Sequence, residues 1–346
     1  MLRGNLSMAK KPMYKYRLSI LAPVYNVETY LERCVRSIEN QDIPKEDYEV
    51  LLIDDGSTDN SLSIANRLAK EYSNIVVYSK PNEGLSQTRN FGLEHAQGKY
   101  IMHVDSDDFL IENTIGKILE VADENQLELC FYDAKTTWGY IQPRPPFPLY
   151  QIFTGENVLL HGMRVGSVWK NIYLHDFLKK TGIRFYGNIA HQDVEYNYRL
   201  YPFAQKVMFT DICVYVYNKD NESITRTNDI RKKEKKVKDD LTVISNVSQF
   251  AYNAEISLPL KNLLIRKMNS SLIAILYSFL RKDSHYSFSF CKEILLNAQT
   301  LSLYPIQGDT YSKKTTRLKK WINVKPLYLV LLAACKFRNY INRIIK

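Results

Sequence analysis

The 346-residue sequence has no CxxC pair, and its five cysteines (Cys34, Cys130, Cys213, Cys291 and Cys335) are scattered and odd in number. That spacing excludes the usual structural zinc site and a disulfide framework, and it predicts a reducing compartment. No apolar core segment of the kind a signal peptide needs follows the basic residues Arg3, Lys10, Lys11, Lys15 and Arg17, so neither a signal peptide nor a membrane anchor is expected over residues 1–16. The longest apolar run near the end, Leu327 to Cys335, is too short to cross a bilayer. Neither GxGxxG nor GxxxxGK[ST] follows the first apolar segment, which argues against a dinucleotide-dependent oxidoreductase and a P-loop NTPase. Internal repeats and low-complexity tracts are also missing. Acidic residues are absent from Ser312 to Lys346, a stretch with ten Lys or Arg that accounts for the whole net charge of +10. A basic patch suits nucleic acid or an anionic membrane. This one is interleaved with Trp321, Ile322, Leu327, Tyr328 and Leu329, like an interfacial segment, so a membrane surface is the expected partner and nucleic acid is not.

What is present reads as an ordinary globular chain, with 45% hydrophobic and 24% charged residues and enough length for one large domain or two smaller ones. The first third alternates strand and helix. Leu18 to Pro23, Glu49 to Ile53, Ile75 to Tyr78 and Tyr100 to Val104 are apolar runs of strand length. Between them, Val27 to Ile38, Leu62 to Ala69 and Leu85 to Ala96 carry apolar residues at helical spacing. That alternation predicts an α/β fold, a mostly parallel sheet with helices on both faces. Residues 164–217 mix strands and helices, and from about 230 onward the chain reads as helical, with a rigid Pro-rich loop at 142–148.

The chemistry gathers in the turns after the strands. Asp105-Ser106-Asp107-Asp108 follows the fourth strand, where open α/β sheets bind ligands. Three carboxylates there repel one another unless a cation sits among them, and a hard divalent ion is the natural one. The alternative is a turn in which Asp108 caps the next helix. The turn after the first strand, Pro23-Val24-Tyr25-Asn26 with Glu28, and the one after the second, Asp54 to Ser57, belong side by side at the same edge. They could grip a nucleotide through a ring and a carboxylate, or merely turn the chain. Arg89, within Lys80-Pro81-Asn82-Glu83-Gly84-Leu85-Ser86-Gln87-Thr88-Arg89-Asn90, could reach a diphosphate with its planar fork or stand as a solvated helix arginine.

Taken in order, Ser19 to Glu28, Leu52 to Ser61, Asn82 to Ser86 with Arg89-Asn90-Gly92, and Gly98 to Asp108 resemble the opening of family 2 glycosyltransferases of the GT-A fold, the bacterial surface-glycan type included. The resemblance is strong over about 17–110 and weaker to about 218. It implies a nucleotide-binding half at 17–110, an acceptor-side half at 111–220, and a helical C-terminal region at 221–346 ending in the basic tail 312–346. It further implies inverting transfer of one sugar from a nucleotide sugar, commonly a UDP-sugar, to a glycan or lipid-linked glycan precursor. The expected setting is cytoplasmic, peripheral at the inner face of the cell membrane. Asp55 would meet the base with Pro23, Tyr25 and Glu28 around it. Asp105 would sit near ribose and metal, and Asp107 would bind Mn²⁺ or Mg²⁺ bridging the diphosphate. The general base, which the family carries in a Glu-Asp pair after a Trp-Lys segment, maps to Asp193. Here Val168-Trp169-Lys170 is followed by His191-Gln192-Asp193, so the first carboxylate is replaced and its upward push on the second is lost. His191 is the alternative base. No Gln-x-x-Arg-Trp motif or membrane helix bundle follows, which favours single addition over processive synthesis. Two other readings compete: a sugar nucleotidyltransferase, which would need a glycine-rich Arg loop missing after the first strand, and a basic nucleic-acid- or membrane-binding protein.

Overall fold

The computed structural model describes residues 14–140, 146–163, 166–219, 229–279, 284, 286–323, 333 and 337. Most of the 1–16 extension, part of the Pro-rich loop, and nearly all of the tail beyond Asn323, including the apolar run at 327–335 apart from residue 333, lie outside them. In chain order the elements are β1 (Tyr16–Val24), α1 (Leu31–Glu39), β2 (Tyr48–Asp54), α2 (Ser61–Glu71), β3 (Ile75–Ser79), α3 (Leu85–His95), β4 (Gly98–His103), β5 (Phe109–Leu110), α4 (Ile115–Asn125), β6 (Leu129–Thr136) and β7 (Ile152–Phe153). They continue as α5 (Gly155–Leu160), β8 (Asn171–Leu174), α6 (His175–Thr181), α7 (Gln192–Leu200), β9 (Val207–Tyr217), α8 (Ile230–Asn253), α9 (Leu258–Ser278), α10 (Phe288–Thr300) and α11 (Lys313–Ile322). Two compact units result. One draws on the described residues of Met1–Gln142, Trp169–Gly182 and Met208–Asn218; the other on those of Pro143–Val168, Ile183–Val207 and Lys219–Lys346.

The first unit is built on a sheet ordered β3-β2-β1-β4-β8-β6-β9-β5. β3, β2, β1 and β4 are parallel, whereas β8 is antiparallel to both β4 and β6, and β5 is antiparallel to β9. The sheet is therefore mixed: α1, α2 and α3 are the crossovers that let the first four strands pair in parallel, and β8 breaks that pattern by running antiparallel between β4 and β6. Every residue of β2 is buried, which is why it is a continuous apolar run. Alternation sends neighbours to opposite faces. Ile20, Leu52 and Met102 pack in one core with the α1 stripe Leu31, Cys34, Val35 and Ile38 and with Ile118 and Leu119 of α4. On the other face, Gly92 of α3 lies so near Leu21 and Ile53 that a Cβ there would meet Ile53 Cδ1 at 3.0 Å. Helices thus cover both faces, as the strand–helix alternation predicts.

The ends of β1, β2 and β3 are level, and β4 stops three residues short of them. Val24 lies opposite Asp54, Asp54 opposite Ser79, and Leu21 opposite His103. The chain therefore leaves the sheet along one edge at Tyr25, Asp55, Lys80 and Val104. β1 is flanked by β2 and β4, so the order reverses between β1 and β4, and that switch point is where such sheets open a crevice.

The second unit is mainly helical. α8 buries Val237, Leu241, Ile244, Val247 and Ala251, and α9 buries Leu260, Leu264, Met268, Leu272 and Ile275, each a stripe of three- and four-residue steps. Side chains of Asp229, Ser257, Ser287 and Ser312 cap α8, α9, α10 and α11. Among the described residues no helix is long and apolar enough to cross a membrane.

Candidate active site

The turns after β1 and β2 are tied together by reciprocal hydrogen bonds. The Asn26 N–H donates to Ser57 Oγ (3.2 Å) and the Thr58 N–H to Asn26 Oδ1 (2.8 Å). Val27 N–H donates to Ser61 Oγ (2.8 Å), and Glu28 Oε2 accepts from both the backbone and side-chain nitrogens of Asn60 (2.9 and 2.8 Å). Glu28 therefore braces the second turn. Tyr25 stands with its ring exposed at the crevice, while Pro23 is buried behind it.

Asp55 is buried and its carboxylate is ringed by donors. Lys80 Nζ forms an ion pair with Oδ1, the Glu83 N–H donates to Oδ1 (3.0 Å), and the Gly84 N–H donates to Oδ2 (2.8 Å). Asn82 Nδ2 reaches the Asp55 carbonyl at 2.9 Å. Gly84 adopts φ +87°, a conformation glycine takes without strain, and it is the N-cap of α3. Burial pushes the Asp55 carboxyl up, but Lys80 and the backbone donors outweigh it and hold the group below the usual carboxylate range. Asp55 thus fastens the loop 80–84 to the end of β2, with both oxygens already engaged by the protein.

The acidic turn after β4 divides into three environments. Asp105 is partly exposed, with Oδ1 held by Arg89 Nη2 at 2.5 Å and its N–H donating to Tyr215 Oη at 3.1 Å. Arg89 itself is 2% exposed, so the solvated-helix alternative does not hold. Ser106 Oγ donates to the Pro23 carbonyl, which joins this turn to the end of β1. Asp107 is partly exposed, and its carbonyl accepts from Asn218 Nδ2 (3.1 Å). Asp108 is buried and accepts from Tyr215 Oη (2.7 Å) and from the Asn218 N–H (2.7 Å), so it anchors the turn to β9 rather than capping a helix. Burial and then the charges of Asp105 and Asp107 push its carboxyl up to about 8. Tyr215 is backed by Trp169, whose ring stacks on it at 4.3 Å and 11°. Sequence reasoning overlooked Lys80, Tyr215 and Asn218. Lys80 had a signal, a cation directly before Pro81-Asn82-Glu83-Gly84; Tyr215, one of 25 tyrosines, in an apolar strand, had none.

Residues 19–180 match the family model "Glycosyl transferase family 2". The chain carries a glycosyltransferase family 2 domain. It is 30% identical over 221 residues to the uncharacterized glycosyltransferase YibD of Escherichia coli (strain K12), covering 61% of this chain and 63% of that protein. It is 31% identical over 208 residues to the poly(ribitol-phosphate) beta-glucosyltransferase of Bacillus spizizenii (strain ATCC 23059 / NRRL B-14472 / W23), 58% of this chain and 32% of that one. The matches thus span less than two thirds of these relatives. The fold is that of S. aureus TarS 1-349, with TM-score 0.68 at 18% identity over 95% of this chain and 92% of that one. The same protein solved in complex with UDP-GlcNAc aligns with TM-score 0.56 at 21% identity over 86% of this chain and 93% of that one.

Asp193 lies beyond the matched family 2 residues, in the second unit, one residue into α7. Its Oδ1 accepts the Val194 N–H at 2.9 Å, and it stands in the positive field of the helix start. The residue before the helix, His191, has a left-handed backbone (φ 58°) and places Nδ1 2.7 Å from Asp240 Oδ1 of α8. That hydrogen bond, against the opposing effect of burial, raises the His191 pKa. Ala190 N–H donates to Asp239 (2.9 Å), and buried Glu195 takes a two-pronged bond from Arg199 (2.7 and 2.6 Å) and one from Asn246 (3.2 Å). α7 is therefore pinned to α8 on both sides of Asp193. Gln192 is buried, a position where a neutral amide costs less than a carboxylate.

Proposed function

We propose that this protein is a metal-dependent, inverting glycosyltransferase that moves one sugar from a nucleotide sugar, a UDP-sugar by preference, to a hydroxyl of a glycan or lipid-linked glycan precursor in cell-surface polysaccharide synthesis. The observation that carries the reading is the pairing of buried Arg89 with Asp105 at the sheet's switch point, beside partly exposed Asp107. A carboxylate held by a buried cation, with a second and partly exposed carboxylate two residues on, is an arrangement for a diphosphate and a divalent ion. The UDP-GlcNAc complex of TarS supports the donor class, and the poly(ribitol-phosphate) beta-glucosyltransferase supports a polymer hydroxyl as acceptor.

Among the described residues no group of three His, Cys, Asp or Glu side chains is arranged to hold a metal by itself. The donor set at hand, Asp107 with the second oxygen of Asp105, fits a hard ion that keeps water and takes its remaining ligands from substrate phosphates. A bound Mn²⁺ or Mg²⁺ would neutralise charge developing on the departing diphosphate. Tyr25 offers a ring to the base, Glu28 and Asp55 stiffen the two turns that frame it, and Arg89 orients Asp105. Asp193 accepts the acceptor hydroxyl's proton in this reading, with His191 held by Asp240 as the flank of that helix start. The partner surface is the cytoplasmic face of an anionic membrane.

The test is donor hydrolysis and transfer across a panel of nucleotide sugars with Mn²⁺ or Mg²⁺. Asp107→Ala is expected to lower metal-dependent turnover by about 10²-fold or more, on the scale of several kcal/mol supplied by a metal. Asp193→Asn is expected to abolish transfer while leaving donor affinity intact. Normal transfer by Asp193→Asn would remove Asp193 from the role of base.

A further inference from the structure

α11 is anchored by one face and exposes another of a single charge sign. Ile322 is buried at its end, Tyr304 Oη donates to the Ile322 carbonyl (2.7 Å), and Asn323 exchanges two hydrogen bonds with Ile306 (3.0 and 2.9 Å). Thr316 meets Thr310 at 2.8 Å, and the Tyr311 N–H just before the helix donates to Ser270 Oγ of α9 (2.7 Å). The rotation of the helix is thereby set. Lys313, Lys314, Arg317, Lys320 and Trp321 are all exposed, at spacings of one, three, three and one, and so share one stripe. Lys319, off that stripe, turns back to the Gly308 carbonyl.

Three features of this stripe make it costly in water. Its first turn holds cations and no acid, although the helix start favours the opposite sign. Neighbouring cations three and four residues apart repel one another. Trp321 is 63% exposed at the end of the stripe, a large ring left in solvent. An anionic surface with an interfacial layer for the ring relieves all three at once.

We propose that the α11 face formed by Lys313, Lys314, Arg317, Lys320 and Trp321 docks the protein on an anionic lipid bilayer, the cations in the headgroup region and the indole at its boundary. This deepens the membrane-face reading above and rests on it for its biological sense; the binding itself does not require activity. Each basic side chain near such a surface contributes about a fivefold gain in partition, so removing two costs roughly thirtyfold. The experiment is flotation of the full chain with vesicles of phosphatidylglycerol and phosphatidylcholine, against phosphatidylcholine alone, at low and high salt. Wild type is expected to float only with the anionic vesicles and to be released by salt. Lys314→Gln/Arg317→Gln is expected to lose about thirtyfold in partition, and the vesicle-induced blue shift of tryptophan emission is expected to vanish in Trp321→Phe. Unchanged flotation of the double variant, or no flotation of wild type, overturns the proposal. So does tight binding to heparin or RNA with none to vesicles, which would make the stripe a polyanion site. Donor hydrolysis measured without vesicles is expected to be equal in all of these proteins; its absence in wild type would count against the glycosyltransferase reading and leave the flotation result to stand by itself.

Discussion

Replacing Lys80 by methionine tests whether Asp55 is a scaffold residue. The Lys80 side chain is 9% exposed and that of Asp55 is 4% exposed, so the ion pair is buried. Breaking such a pair from one side leaves an uncompensated buried charge and costs about 3–5 kcal/mol. Here the carboxylate keeps the N–H groups of Glu83 and Gly84 and the positive end of α3, which puts the expectation at the lower limit, about 3 kcal/mol. For a unit of this size that corresponds to a fall in Tm of roughly 6–12 °C. The pH dependence gives a second handle. The folded Asp55 carboxyl lies below its ordinary value of 3.8, so its stabilisation is present above that value and is lost as pH falls through the lower, folded one. The deficit of Lys80→Met is therefore expected to be constant at neutral pH and to shrink below about pH 4. Lys80→Met/Asp55→Asn is expected to recover part of the loss, because a neutral amide no longer needs the ammonium. Thermal unfolding by calorimetry from pH 3 to 7 reads all of this. A deficit under about 0.5 kcal/mol at pH 7, or one that persists unchanged at pH 3, would refute the scaffold role.

Tyr215→Phe removes the donor to Asp108 and the acceptor for the Asp105 N–H, and is expected to cost about 2 kcal/mol in chemical denaturation. It is also expected to raise the Mn²⁺ concentration for half-maximal donor hydrolysis, which a purely structural loss elsewhere in the fold would not do. Asp240→Asn deletes the partner that raises the His191 pKa, an effect fully present below pH of about 6.5 and lost as pH rises through the raised value. Both side chains are about a third exposed, so screening limits the deficit to about 1 kcal/mol, visible as a Tm difference at acid pH that fades as pH rises through the raised value.

The parallel part of the sheet was legible because β1, β2 and β4 are buried on both faces and all four strands are bounded by turns, so that local pattern and tertiary fate coincide. The expected run Glu49 to Ile53 becomes Tyr48–Asp54, and Leu85 to Ala96 becomes Leu85–His95. The antiparallel half was not legible. β5 and β7 have two residues each and β8 has four, too short for any period to register. Their pairing depends on long-range contacts such as Leu129 with Tyr173. In the site, spacing brought Asp105, Asp107 and Arg89 to one edge, but it could not say that Arg89 is buried against Asp105 or that Tyr215, more than a hundred residues later, props the turn. The assignment of Asp193 rests on resemblance alone, since nothing about one Asp at a helix start sets it apart.

The acidic residues of this edge separate by how many donors the protein itself brings to them. A carboxylate among other carboxylates must be met by cations or N–H groups if the turn is to fold before any ligand arrives. Asp55 is met by Lys80 and two backbone N–H groups, Glu28 by two nitrogens of Asn60, and Asp108 by Tyr215 and Asn218. These three hold turns to strands. Asp105 gives one oxygen to Arg89 and remains 29% exposed, and Asp107 also faces solvent in part. A ligand that replaces water gains most where a carboxylate still faces solvent, as these two do in part. A pattern of aspartates in sequence therefore mixes two classes, those that build the edge and those that serve it. Exposure tells them apart: Asp55 and Asp108 are buried in the frame, and the partly exposed Asp105 and Asp107 are the pair proposed for the ion and diphosphate.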